Sequence, residues 1–269
     1  MQRNSTAYTF LFAVAVCVCC SIFVAGAAVM LKDKQQANVV FDRQLKILGV
    51  TGILNPAEPI TPDEAEALFD KYIKRHYVDL ETGELADDEA PDEYDPVKAA
   101  KSEEYGLQAP ANPAGVAYMP RYGEIYHVVN DAGEIEQIVL QVWGQGLWST
   151  LYGYLALQED TNTIRGLTFY EHAETPGLGG EVDNPKWKAQ WKGREAYNEY
   201  GEPVIDLAKG GAGPVESDPH RVDALSGATI TGNGVKNLLN FWLSEEAYGE
   251  YLERFRQERG IEPFKERAA

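Results

Sequence analysis

From residue 7 to 31 the chain carries no charged side chain: "AYTFLFAVAVCVCCSIFVAGAAVML". A bilayer span needs roughly 20 apolar residues, so this run predicts one transmembrane helix. Ala25-Gly26-Ala27 also resembles a signal cleavage site, but a signal's apolar core is shorter than this run. Beyond it, apolar positions at Leu45, Ile47, Leu48 and Ile53 predict a short helix closing near Gly49 or Gly52. The stretch "TPDEAEALFDKYIKRHYV" follows. Thr61 caps it, Pro62 suits the first helical position and Glu64 the third, with Ala65, Leu68, Phe69 and Ile73 on one face.

The period changes to two after Pro113. "GEIYHVVNDAGEIEQIVLQVWG" predicts an antiparallel hairpin about Asn130-Asp131-Ala132-Gly133. Further strands are expected over Leu151–Leu157 and Ile164–Glu171, with another in "EPVIDLAKGG". A short helix is expected over Pro185–Lys192. Val235, Leu238, Leu239, Trp242 and Leu243 then recur at helical spacing, predicting a helix after Thr231 with one buried face. The fold class is α+β: one N-terminal transmembrane helix, then a domain around an antiparallel sheet. The expected divisions are an anchor over 1–34, a helical juxtamembrane region over 35–115 and the sheet domain over 116–269.

Charge changes this picture in three ways. A formal net charge of −18 argues against nucleic acid as a partner, since a phosphate backbone calls for a basic face. Residues 79–104 hold a large share of the acid, with few apolar anchors, and read as a solvated insertion or lobe. Arg3 before the span and Lys32, Asp33 and Lys34 after it leave the positive-inside rule nearly silent. All three cysteines, Cys17, Cys19 and Cys20, lie in the apolar run and read as packing residues. Thiolate sharing with a membrane partner stays open. The rest of the chain therefore holds no disulfide or thiolate metal site of its own, and no metal is expected.

Two glycine-rich stretches carry the candidate chemistry. In "EHAETPGLGGEV", Glu171 to Val182, three glycines and a proline within a few residues break any helix or strand. That is a tight turn or a loop whose backbone approaches a flat ligand. In "RVDALSGATITGNGVKNLLNFW", small residues precede a helix start. The exposed N–H groups there suit a phosphate, or the stretch is a plain cap. There is no Walker A spacing and no GxGxxG after a parallel strand, which disfavours nucleotide hydrolysis and Rossmann binding.

Asp223-Ala224-Leu225-Ser226-Gly227-Ala228-Thr229 resembles the flavinylation sequence Asp-x-x-Ser/Thr-Gly-Ala-Thr of the FMN-binding domain family. Glu174-Thr175-Pro176-Gly177-Leu178-Gly179 matches that family's Glu-Thr-Pro-Gly-Leu-Gly. Within the family, the juxtamembrane "DRQLKILGVTGIL" and the segment "GQGLWSTLYGYLAL" are most similar to the C subunits of sodium-translocating NADH:quinone reductases. The G subunits of the related Rnf complexes share the anchor and both motifs.

The resemblance implies covalent FMN, joined through its phosphate to Thr229 by a flavin transferase. It implies one-electron transfer inside a multi-subunit complex of the bacterial inner membrane, with the soluble domain in the periplasm and lipid around the anchor. No catalytic acid or base is needed. Asp223 is expected to serve transferase recognition, while Gly227 and Ala228 keep the approach open, Thr229 stays exposed and Ser226 belongs to the cofactor-binding set. The loop Glu174, Thr175, Gly177, Leu178 and Gly179 is expected against the isoalloxazine ring, with Leu178 as wall and the glycines admitting close approach. Leu147 and Trp148 of the Gly-Leu-Trp-Ser stretch are candidates for another side, Trp148 being weighted toward the core. His172 is weighted toward a surface or core role over a ring contact.

Overall fold

The computed structural model describes residues 5–55, 58–91 and 94–265, so Arg3 lies outside the described residues. Two compact units emerge, Met1–Arg43 and Gln44–Ala269. Helix α1 runs over Thr6–Thr51. Its portion in the first unit is long and apolar enough to cross a membrane, with Phe10, Phe12, Phe23 and Met30 exposed. The three cysteines there are free and exposed.

The second unit begins with the end of α1, where Ile47, Leu48, Val50 and Thr51 are buried. The short helix expected near the anchor is therefore the last turns of α1. It stops at Gly52, which is left-handed at φ +76°. The Thr51 carbonyl accepts from Gln137 Nε2 at 3.2 Å and Arg165 Nε at 3.1 Å, so side chains satisfy the helix end. Helix α2, Pro62–Tyr72, opens with the expected capping box: the Thr61 hydroxyl accepts from the Glu64 N–H, and Glu64 accepts from the Thr61 N–H.

Ile73 does not continue that helix. It starts strand β1, Ile73–Asp79, which pairs antiparallel with β5 from Ile73↔Val128 to Asp79↔Tyr122. The β-branched Ile73 and Val78 and the aromatic Tyr77 suit a pleated, buried surface better than an exposed helix end. Strand β2, Glu84–Leu85, helix α3, Pro96–Ala99, and strands β3, Gly106–Gln108, and β4, Tyr118–Pro120, complete this region. The acidic stretch has apolar anchors after all. Tyr94 meets Tyr77, Tyr105 and Tyr122 edge-on with centroids 5.4, 5.7 and 5.8 Å apart, and Ala86 and Ala99 are buried with them.

Strands β5, Tyr122–Val129, β6, Ile135–Gln145, β7, Thr150–Gln158, and β8, Ile164–Glu171, form a meander. The six-stranded antiparallel sheet has the order β2-β1-β5-β6-β7-β8. A 3-10 turn, Gly179–Asp183, and helix α4, Pro185–Ala189, follow β8. The strand expected in "EPVIDLAKGG" is β9, Asp206–Ala208, paired in parallel with β10, Arg221–Asp223. Helices α5, Thr229–Trp242, and α6, Gly249–Arg259, finish the fold.

Both faces of the sheet are covered. Val235, Leu238, Leu239 and Trp242 of α5, all fully buried, join Leu140, Val142, Leu151 and Leu155 in the main core. Burying such side chains stabilises by about 1.5–3 kcal/mol each. On the other face Phe69 packs edge-on against Tyr126, and a Cβ on Gly166 would lie 2.8 Å from the Val50 carbonyl oxygen.

Candidate functional site

The site is built where three segments meet: the β6–β7 turn, the glycine loop after β8 and the start of α5. In the β6–β7 turn the Gly146 N–H donates to the Ser149 carbonyl at 2.8 Å. This leaves Leu147 and Trp148 projecting, 42% and 69% exposed. Trp148 is thus not a core residue. It sits at the tip of a tight turn whose ends are consumed by the strand ladder.

Glu174 joins the three segments. It is 5% exposed. Its Oε1 accepts from the N–H groups of Trp148 at 2.9 Å and Ser149 at 3.3 Å. Its Oε2 accepts from the Thr231 hydroxyl at 2.5 Å. Burial pushes the carboxyl pKa up, but the Thr231 hydroxyl and the N–H groups of Trp148, Ser149 and Leu147 more than offset it. The group is held below the usual carboxylate range and stays ionised at neutral pH.

The neighbouring polar groups support this carboxylate. The Glu174 N–H donates to His172 Nδ1 at 3.2 Å, and His172 Nε2 lies 2.8 Å from Asp183 Oδ2. Since Nδ1 accepts, Nε2 carries the proton and donates to Asp183. Both ring nitrogens are therefore engaged within the protein. The Ala173 N–H donates to Ser149 Oγ at 2.8 Å, tying loop to turn a second time.

The glycines divide by role. Gly177 is left-handed at φ +76° and faces open space, so its use is conformational. Gly179 is buried, and a Cβ there would lie 2.5 Å from Glu174 Oε2 and 2.7 Å from Thr231 Oγ1. Its missing side chain makes room for the Glu174–Thr231 bond, not for a ligand. Thr175 is exposed and its carbonyl accepts from the N–H groups of Leu178 and Gly180 at 3.1 and 3.0 Å. Leu178 is 46% exposed, and its Cδ2 would be 3.1 Å from a Cβ on Gly227. The glycine loop thus touches the Asp223–Thr229 motif.

In that motif, Asp223 is engaged internally. Its Oδ1 accepts from the Ala212 N–H at 2.6 Å and its Oδ2 from Gln190 Nε2 at 3.1 Å, while its carbonyl accepts from Trp187 Nε1 at 2.8 Å. Ser226 and Gly227 are exposed in a turn, with Gly227 at φ +72°, and Ala228 is buried. Thr229 is exposed and is the first residue of α5. Ala228, at the cap position, offers no side-chain acceptor to the first-turn N–H groups, so this end favours an anion. Ile230 beside it is 58% exposed.

Thr231 is not among the expected site residues, Ser149 enters the expectation only as part of the Gly-Leu-Trp-Ser stretch, and His172 is weighted there toward a surface or core role. Thr231 did leave a signal, because it falls on the stripe 231, 235, 238, 242 that α5 buries. Among the described residues no group of three metal-ligating side chains occurs.

The FMN-binding domain family matches residues 146–244, a range that contains all three segments. Among the C subunits of Na(+)-translocating NADH-quinone reductases, that of Pseudomonas aeruginosa is 45% identical over 259 residues, covering 95% of this chain and 98% of that protein. Its counterpart from Yersinia pestis is 41% identical over 258 residues, 95% of each chain. The crystal structure of Shewanella oneidensis NqrC superimposes with a TM-score of 0.73 at 33% identity, over 80% of this chain and 96% of that one. The crystal structure of the Parabacteroides distasonis counterpart gives 0.62 at 27% identity, over 82% and 96%. These full-length likenesses favour the C subunits over the Rnf G subunits, and the chain belongs to the NqrC family, the C subunits of the Na(+)-translocating NADH-quinone reductases.

Proposed function

We propose that this chain is the membrane-anchored electron-transfer subunit of a sodium-pumping NADH:quinone reductase, and that it carries FMN esterified through its phosphate to Thr229. One observation carries the reading. The buried Glu174 draws the two motif segments and the Gly-Leu-Trp-Ser turn together around an exposed threonine at a helix start. The residues present fit the group. The first-turn N–H groups of α5 suit the single negative charge of a phosphodiester. Leu147, Trp148, Leu178 and Ile230 offer exposed apolar surface on the joined segments, suited to a flat ring.

When bound, FMN supplies the capacity to take up and pass on electrons. The chain's own residues hold its phosphate end, shield one side of the ring and keep the local charge fixed through Glu174. NADH oxidation is not expected from the isolated chain, whose parallel strand pair among the described residues is only β9 and β10, three residues each. Its partners in this reading are the other subunits of the complex, a flavin transferase during maturation and membrane lipid around α1. The anchor stays attached and the domain faces the periplasm.

The test of attachment is fluorescence under ultraviolet light in a denaturing gel, with the chain produced alongside a flavin transferase. A fluorescent band is expected. A dark band from a folded, transferase-exposed protein would contradict covalent flavin. Topology has its own test: protease added to intact spheroplasts should digest the domain, and full protection would reverse the orientation.

A further inference from the structure

Two threonines stand two residues apart at the start of α5, and only one faces out. Successive helical residues are about 100° apart, so Thr229 and Thr231 point to nearly opposite sides. Thr229 is exposed, while Thr231 is fully buried with its hydroxyl donated to Glu174 Oε2 at 2.5 Å. The rotation of the first turn decides which hydroxyl a transferase meets.

We propose that Glu174 is the positioning residue that selects Thr229 as the flavin acceptor, by holding the Thr231 hydroxyl inside and fixing the first turn of α5. The inference rests on the reading of Thr229 as the attachment residue. Glu174 is suited to the task because its other oxygen is anchored on the backbone of the β6–β7 turn, through Trp148 and Ser149. The clamp also leaves no spare room. A Cβ on Gly146 would lie 2.6 Å from Glu174 Oε1, and one on Gly179 2.5 Å from Oε2. These two glycines are shaped around the carboxylate.

The group transfer it would serve needs an activated donor. Esterification by free FMN would have to expel water and is uphill in water, so the donor is an activated flavin dinucleotide. The Thr229 Oγ1–P bond forms as the pyrophosphate P–O bond breaks. The nucleotide monophosphate leaves with the bridging oxygen, and the threonine proton passes to solvent. Glu174 takes no part in bond making. It presents the hydroxyl.

The experiment follows the rate and site of flavin attachment on the full chain, produced with a flavin transferase and supplied with flavin adenine dinucleotide, by peptide mass spectrometry. Thr231→Val keeps the side-chain volume and removes the hydrogen bond; Thr231→Ser keeps the bond and removes a methyl group. Attachment at Thr229 should slow about tenfold in Thr231→Val and in Glu174→Gln, the scale of one hydrogen bond to a charged group. Thr231→Ser should restore a near-native rate. The double variant Thr231→Val with Glu174→Gln should be no slower than either single, as expected for two ends of one contact.

A mere packing role would give the reverse order, with Thr231→Ser impaired and Thr231→Val normal, and that result would overturn the proposal. So would wild-type labelling of Thr231. Thr229→Ala separates the two levels. Flavin retained in Thr229→Ala would sink the attachment reading itself. A colourless Thr229→Ala beside normal labelling of Thr231→Val and Glu174→Gln would sink only the positioning role.

Discussion

A Cβ on Gly179 would crowd both Glu174 Oε2 and Thr231 Oγ1, at 2.5 and 2.7 Å. Gly179→Ala should therefore break the clamp and destabilise the domain by about 1–3 kcal/mol, read by urea denaturation. An unchanged midpoint would show that the loop yields. Gly177→Val acts differently. With open space around a left-handed backbone, it should lower stability by about 1–2 kcal/mol through strain. A spectral change larger than that of Gly177→Ala would point to a direct ring contact instead. The ionised Glu174 also sets a pH dependence. Its folded pKa is depressed, so its contribution is present above the unfolded value and lost as pH falls through the folded one. The stability gap between wild type and Glu174→Gln should thus be widest near neutrality and close in acid; a gap independent of pH would contradict an ionised carboxylate. At this scale the motif residues were legible because their types are unusual together. The role of Glu174 was not, because its partners Trp148 and Thr231 are 26 and 57 residues away in sequence.

Helix α5 reaches the sheet through glycines. A Cβ on Gly234 would overlap the Gln145 carbonyl oxygen, and one on Gly144 would lie 2.5 Å from Leu238 Cβ. Gly234→Ala should push the α5 start away from β6, lowering stability by about 1–3 kcal/mol and slowing flavin attachment with it. Loss of stability with a normal attachment rate would show that the site does not depend on this contact. On α6, Tyr251 packs over β5, its hydroxyl 2.6 Å from His127 Nε2. Burial lowers the His127 pKa to about 4, aided by His76. The unfolded chain then binds the extra proton first, so stability should fall as pH drops from about 6.5 toward about 4, by on the order of 3 kcal/mol. Urea titrations at several pH values should show this slope, and His127→Gln should flatten it. The meander β5–β8 and the core stripe of α5 could be read from periodicity, because each buries one repeating face. Strand β1 could not, since Ile73 satisfied the helical period of α2 until its pairing with Val128 decided the matter. The charged α6 and the parallel pair β9–β10 are too polar or too short to carry a period.

The whole molecule combines an apolar helix with a strongly acidic domain. The acidic stretch over residues 79–104 reads as solvated because its charges outnumber its apolar side chains, yet its Tyr94 makes T-shaped ring contacts with Tyr77, Tyr105 and Tyr122 from the flanking chain. Aromatic clusters of this kind depend on a strand and a loop meeting in space, which local composition does not report. For the chain as a working part of its complex, the central proposal is covalent attachment of FMN at Thr229. Mass spectrometry of peptides from the full chain, produced with a flavin transferase, tests this most directly. The expected result is FMN mass on the peptide containing Thr229, localised to that hydroxyl, and its complete loss in a folded Thr229→Ala protein. FMN found on Ser226 or Thr231, or retained in Thr229→Ala, would contradict the account.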